Sequence, residues 1–203
     1  MAGMKETGPH VVILAGPNGA GKSTAARSLL RGTLRVREFV NADVIAQGIS
    51  GFEPDAAAIQ AGRVMVSRLK SLAKSRVDFA FETTLASRTF APWIRDLLSS
   101  GYAFSLVFLW LPSVEAAIAR VRERVQAGGH AVPEETIRRR YAAGLRNFFQ
   151  ISQPLATRWR FYDNGGRQGP RILAEGQASA VSRISDPRLW KEIDVGYGHG
   201  SRP

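Results

Sequence analysis

An α/β fold, a parallel sheet with helices on both faces, is what this sequence predicts. Short apolar, β-branched runs alternate with amphipathic helical stretches along most of the chain, the signature of βαβ units. The first such run, Val11-Val12-Ile13-Leu14, passes directly into Gly16-Pro17-Asn18-Gly19-Ala20-Gly21-Lys22-Ser23, which fits Gly-x-x-x-x-Gly-Lys-[Ser/Thr] at every fixed position. Each polar motif of note falls just after a predicted strand, at the carboxyl rim where open α/β sheets bind ligands.

Taken in order, residues 1–9 form a loose lead and 10–175 a single domain. After the loop, Thr24 to Leu30 reads as a helix, so the glycines join a strand to a helix N-terminus. There, successive N–H groups and the helix dipole make a cradle for polyphosphate. Gly16, Asn18, Gly19, Ala20, Gly21, Lys22, Ser23 and Thr24 are the expected nucleotide-binding residues. Lys22 would reach the β- and γ-phosphates, and the Ser23 hydroxyl would ligate Mg²⁺. The pattern is that of a P-loop NTPase or kinase, with ATP and Mg²⁺ as cofactors.

Arg37–Val40 is a second strand ending at Asn41-Ala42-Asp43. Pro54 opens a helix to about Arg76, its inner face expected from Ile59, Val66, Leu69 and Ala73. Phe79–Phe81 is the third strand, leading into Glu82-Thr83-Thr84, and a helix over 90–99 stops at Gly101. Tyr102–Leu111 has the composition of a central strand buried on both faces. Ser113 then caps a helix with the stripe Val114, Ile118, Val121 and Val125. Gly128-Gly129-His130 interrupts it, and Pro133 restarts a helix bearing Ile137, Tyr141, Leu145 and Phe148. Trp159–Tyr162 and Arg171–Ala174 are late strands. The composition beyond Gly176 predicts a weakly held tail, 176–203, with one helical turn near Leu189.

Among the 203 residues there is no cysteine, which excludes disulfides and thiolate chemistry and suits a reducing cytoplasm. The longest apolar run, Leu106–Leu111, is too short to cross a bilayer, so no membrane partner is expected. Net charge is +11, from 28 Lys and Arg against 17 Asp and Glu. Only five of the 28 are Lys, and arginines gather in 120–146 rather than in a solvated tail, which favours small anionic ligands over nucleic acid. Coding bias in an Ala-, Gly- and Arg-rich chain accounts equally well for the excess.

Asp43, delivered to the rim beside the loop, is a candidate general base for a hydroxyl attacking the γ-phosphate, and also reads as the N-cap before Val44. Glu82 can orient Mg²⁺ through water or bind a substrate hydroxyl. Arg120 and Arg124 share a helix face at i, i+4, and Arg140 lies about 60° from Ile137 at 100° per residue. A helical lid around the Gly128-Gly129 break, supplying arginines to the phosphoryl group, fits this pattern, whereas Arg138 and Arg139 read as solvated. His130 lacks partners at metal-ligand spacing; a hydrogen bond within the lid is the expectation.

Gly16 to Thr24, Asn41-Ala42-Asp43, Phe81-Glu82-Thr83-Thr84-Leu85, Arg120 to His130, Val132-Pro133, Ile137 to Tyr141 and Tyr162-Asp163-Asn164 together resemble the zeta-toxin family, in its short stand-alone branch. The resemblance spans about residues 10–175. It implies a kinase that uses ATP and Mg²⁺ to phosphorylate the sugar 3′-hydroxyl of a nucleotide sugar, UDP-N-acetylglucosamine, with an antitoxin protein as partner. It further implies that Lys22 and Ser23 hold nucleotide and metal, with Arg120 on the nucleotide, that Asp43 is the base, and that Arg124 and Arg140 are lid arginines. Asn41, Glu82, Thr84, Arg88 and His130 would then meet the substrate. The family carries Glu-x-Thr-x-Arg after the third strand. Here Ala86 takes the Arg position and Arg88 is the nearest arginine, so another hydroxylated metabolite remains open as acceptor. Two rival classes, a nucleic-acid-associated ATPase and a nucleotide-gated interaction module, share the phosphate loop.

Overall fold

The computed structural model describes residues 8–34, 36–51, 56–166 and 168–198. Seven strands form one sheet in the order β2-β3-β1-β4-β5-β6-β7. These are β1 (His10–Ala15), β2 (Glu38–Val40), β3 (Phe79–Thr83), β4 (Ala103–Trp110), β5 (Arg158–Asp163), β6 (Arg171–Gln177) and β7 (Ala180–Ile184). The pairs among β1 to β5 are parallel, as expected from the βαβ alternation, while β6 and β7 add an antiparallel edge. In β1, Val11, Val12, Leu14 and Ala15 are fully buried and Ile13 nearly so, because the strand lies between β3 and β4 with both faces covered.

The helices are α1 (Lys22–Ala26, continued by a wider π-helical turn over Arg27–Thr33), α2 (Ala42–Ile49), α3 (Ala58–Lys74) and α4 (Phe90–Ser99). They are followed by α5 (Val114–Gln126), α6 (Glu134–Asn147, then a π-helical turn over Phe148–Ser152), α7 (Gln153–Leu155) and α8 (Pro187–Tyr197). Ser113 caps α5 as predicted, its hydroxyl accepting from the Ala116 N–H at 3.1 Å. Gly101, at φ 88°, ends the turn after α4. Phe90 and Trp93 of α4 pack on Phe81, and Trp93 also on Phe79, while Phe148 after α6 meets Phe108 and Phe161, which stack on each other across β4 and β5 at 5.1 Å.

Two amphipathic faces differ from the sequence expectation. On α3 the buried residues are Ala61, Met65, Leu69 and Leu72, whereas Ile59 is 75% exposed and Val66 lies on the outer side. The helix is rotated from the predicted stripe because small Ala61 permits close packing with Ala46 and Ala57, leaving the branched side chains out. Pro54, the expected helix start, lies outside the described residues. On α5, Val125 is exposed at the far end, and Ala117 joins Ile118 and Val121 inside.

The larger difference is at the C-terminus. Where composition predicts a weakly held tail beyond Gly176, the structure has β7 and the eleven-residue helix α8, capped by Asp186, whose carboxylate accepts from the Leu189 N–H at 3.0 Å. Trp190 anchors it. Its ring stacks on Trp159 at 5.7 Å and meets Phe149 and Phe161 at 5.4 and 5.3 Å. A single large aromatic thus holds a segment whose polar majority hides it from any composition count. Trp190→Ala should cost about 3–5 kcal/mol, the usual range for emptying a buried aromatic site. Urea unfolding followed by circular dichroism checks this; a loss below about 1 kcal/mol would show that α8 is not part of the cooperative unit.

Candidate active site

The phosphate loop is shaped by close backbone contacts. Gly16 has φ 141°, and a Cβ there would lie 2.2 Å from the Leu109 carbonyl oxygen of β4. Gly19 has φ 77°, and a Cβ there would lie 2.7 Å from the Ala117 carbonyl of α5. Only glycine allows both the left-handed turn and these approaches, so the loop is pressed between β4 and α5. Gly21, also at φ 77°, precedes the first residue of α1. Its neighbour Ala20 is buried, and the Ala20 carbonyl accepts a 2.8 Å hydrogen bond from the Asn164 Nδ2 at the end of β5.

Three strand ends converge below the loop. Lys22, the first residue of α1, is buried, its Nζ donating to the Pro17 carbonyl at 2.9 Å and lying 3.7 Å from Glu82 Oε1. Glu82, at the end of β3, also accepts at Oε2 from the Ser23 hydroxyl at 2.9 Å and from the Asn41 Nδ2 at 2.8 Å. Asn41 follows β2, and its Oδ1 accepts from the Asp43 and Val44 N–H groups. Asn41, not Asp43, is therefore the N-cap of α2. Its amide joins the cap to Glu82, and Asp43 is left exposed in the first turn. Burial drives the Lys22 ammonium below the ordinary lysine range. Glu82 and then Asp43 oppose this, and Arg124 adds to it.

Lys22, Ser23, Asp43 and Glu82 open on a cleft of about 590 Å³, while Asn41, expected to meet substrate, is buried behind them and outside its lining. Its lining includes Asn18, Gly19, Gly21, Lys22, Ser23 and Thr24 from the loop and α1, Asp43 and Glu82 from the strand rim, and Arg120 and Arg124 from α5. The expected donor residues are thus brought together, with Gly16 and Ala20 behind them as packing. Glu123, Asn164, Gly169 and Pro170 also line the cleft and were not assigned from sequence. Asn164 follows a predicted strand and closes the Tyr162-Asp163-Asn164 motif, and those were the signals available for it.

The acceptor and lid expectations fare differently. Thr84 lies outside the cleft lining, its carbonyl packed against Gly144 of α6, where a Cβ would be 2.5 Å away. Arg88 lines a separate small pocket with Phe90, Asn147 and Ile151, because the left-handed turn at Leu85, φ 60°, sends the chain toward α4. His130 contributes its carbonyl, which accepts from Arg124 Nη2 at 2.9 Å, and its ring is not on the cleft. Arg140 is half-buried on α6 and is not part of the lining either, so Arg120 and Arg124 of α5 are the predicted arginines that reach the cleft. Arg138 is exposed and paired with Glu115 and Glu134, and Arg122 with Glu134, tying α5 to α6.

Ser23 Oγ and Glu82 Oε2, adjacent at the foot of the loop, are oxygen donors of the kind Mg²⁺ takes alongside phosphate and water. Among the described residues no group of three or more His, Cys, Asp or Glu forms a metal cage. No helix among them is long and apolar enough to cross a membrane.

A family model described as AAA domain matches residues 11–145. An uncharacterised protein of Haemophilus influenzae is 29% identical over 130 residues, 64% of this chain and 91% of that protein. Among solved structures, the AvrRxo1-ORF1:-ORF2 complex with ATP contains a chain that aligns with 97% of this one at TM-score 0.69 and 14% identity. This chain spans 66% of that one's length. A chain of the PezAT chromosomal toxin–antitoxin system of Streptococcus pneumoniae aligns over all of this chain and 83% of its own, at TM-score 0.62 and 13% identity. At such identities the likeness is one of fold, a phosphate loop on a mostly parallel α/β sheet.

Asn164→Ala should weaken ATP binding about tenfold, because it leaves the Ala20 carbonyl unpaired beneath the loop; titration with a fluorescent ATP analogue measures it. ATP affinity should also fall as pH rises through the lowered Lys22 value, since phosphate favours the charged ammonium. Calorimetric titration should find this slope in the wild type and lose it in Lys22→Met.

Proposed function

The chain belongs to the AAA domain family, and on that footing we propose that it is an ATP- and Mg²⁺-dependent phosphotransferase that moves the γ-phosphate to a hydroxyl of a small metabolite. The observation that carries this reading is the meeting of Lys22, Ser23, Asp43, Glu82 and Arg124 on one cleft. The loop N–H groups bind the polyphosphate, and Lys22 turns from the Pro17 carbonyl to the β- and γ-phosphates. Ser23 and, through water, Glu82 are the residues that would hold Mg²⁺, which supplies neutralisation of charge on the phosphate oxygens. Asp43 accepts the proton of the acceptor hydroxyl as its oxygen bonds to the γ-phosphorus, and the bond from that phosphorus to the β–γ bridging oxygen breaks to release ADP. Arg120 and Arg124 face the negative charge from α5.

For the acceptor we favour a nucleotide sugar such as UDP-N-acetylglucosamine. The zeta-toxin motif set supports it, and the fold likeness to a chain of the pneumococcal toxin–antitoxin system supports an antitoxin partner. An ATP-consuming enzyme without cysteine suits the cytoplasm. Thr84, Arg88, His130 and Arg140 enter this reading only if the acceptor site extends beyond the donor cleft.

The test is mass spectrometry of a metabolite extract incubated with ATP, Mg²⁺ and protein. A new phosphorylated species is expected, absent with Lys22→Ala. Asp43→Asn should lower its rate of formation 10²- to 10⁴-fold while leaving ATP affinity nearly unchanged. Hydrolysis stimulated by DNA or RNA with no phosphorylated metabolite would replace the proposal with the nucleic-acid-associated ATPase. ATP binding with neither outcome would replace it with a nucleotide-gated module.

A further inference from the structure

Among the described residues, two buried polar atoms on the cleft residues lack a hydrogen-bond partner, and they are of opposite kind. Asn18 Oδ1 is an acceptor and Arg124 Nε–H is a donor. An unpaired buried polar group costs about 1–3 kcal/mol, so folded proteins keep few of them. Two complementary ones on residues lining the same cleft are able to satisfy each other.

The local geometry puts them within reach of each other. At Gly19, next to Asn18, a Cβ would lie 2.7 Å from the Ala117 carbonyl and 3.2 Å from Arg120 Cβ, so this part of the loop rests on α5. Arg124 is one turn further along the same face, about 6 Å at 1.5 Å per residue. An arginine side chain spans that distance. Arg124 is already near enough to Lys22 to help depress its proton affinity. One end of its guanidinium is held, since Nη2 donates to the His130 carbonyl at 2.9 Å. Nε is the donor left over. Phosphate oxygens cannot satisfy Asn18 Oδ1, because both are acceptors.

We infer that Asn18 is a positioning residue for Arg124: when α5 closes on bound nucleotide, Asn18 Oδ1 accepts from Arg124 Nε–H and fixes the guanidinium against the transferred phosphoryl group. The inference rests on the phosphotransferase reading above. Held at Nε by the loop and at Nη2 by the His130 carbonyl, Arg124 keeps its remaining N–H groups for the phosphoryl oxygens, in one orientation rather than many. The loop that grips the donor thereby also aims the cation that stabilises its transfer.

A double-mutant cycle on the full chain tests this. Asn18→Ala should lower kcat about tenfold with the KM for ATP unchanged within about twofold, and should not lower the melting temperature of the ligand-free protein, since it deletes an unpaired acceptor. Arg124→Ala should lower kcat about a hundredfold, and adding Asn18→Ala to it should cost nothing more. If Asn18→Ala lowers kcat by the same factor with or without Arg124, or raises only the KM for ATP, the inference is overturned and Asn18 contacts nucleotide on its own. If the wild type phosphorylates no metabolite, the phosphotransferase reading is what fails. The pairing is then read from the melting shift induced by a non-hydrolysable ATP analogue with Mg²⁺: non-additive losses uphold it, and additive losses overturn it.

Discussion

Glu82 is the point on which the site depends. One carboxylate at the end of β3 accepts hydrogen bonds from Ser23, the last residue of the phosphate-loop motif, and from Asn41, just after β2, and balances the Lys22 ammonium at 3.7 Å. Lys22 is 7% exposed and Glu82 12%. Taking either charge out of water alone is costly, so each is tolerable only because the other is there with hydrogen bonds around it. The neighbouring strands β2, β3 and β1 are thus locked at their carboxyl ends by the same group that orients the residues facing the cleft.

The sheet explains why these groups meet at all. Parallel register sets Leu14 beside Glu82 and Ala15 beside Thr83, so the end of β3 arrives level with the start of the loop. On the other side Ala15 pairs with Phe108, which puts Leu109 under Gly16 and lets α5 come up against Gly19. The β5 end brings Asn164 to the Ala20 carbonyl. The strand neighbours of the loop are thus placed by the parallel register of β1 with β3 and β4.

Much of this was legible in the sequence because it is local. The strand-loop-helix unit, the carboxylates at the carboxyl rim and the Ser113 cap follow from residue spacing alone, and the structure has them all, with β3 running two residues further so that Glu82 lies at its end rather than after it. What escaped depended on packing partners distant in the chain. The face α3 buries was set by Ala46 and Ala57, and Ile59 went outward. The hold on α8 came from Trp159 and Phe149, so composition could not see it. Asp43 and Asn41 are both good N-caps, and only the pull of Glu82 on the Asn41 amide shows which one does the capping. Thr84 is held off the cleft by the packing of its carbonyl on Gly144, and the left-handed turn at Leu85 then leads the chain to Arg88 in a separate pocket.

The lid needs a similar revision of roles. Sequence alone gives α5 and α6 equal standing as sources of arginine, since both carry them near the glycine break. The structure separates them by what each helix touches. α6 turns Ile137, Tyr141 and Leu145 inward, with the Tyr141 hydroxyl donating to the Leu111 carbonyl, which fixes it to the end of β4. α5 bears directly on the phosphate loop at Gly19, as β4 does at Gly16. The ion pairs of Arg138 and Arg122 with glutamates then couple α6 to α5 at the surface, where such pairs are individually weak. Both helices are anchored in the core, α5 by Ala117, Ile118 and Val121 and α6 by Ile137, Tyr141 and Leu145, but α5 is the one that also bears on the loop. The predicted arginines that line the cleft are therefore those of α5.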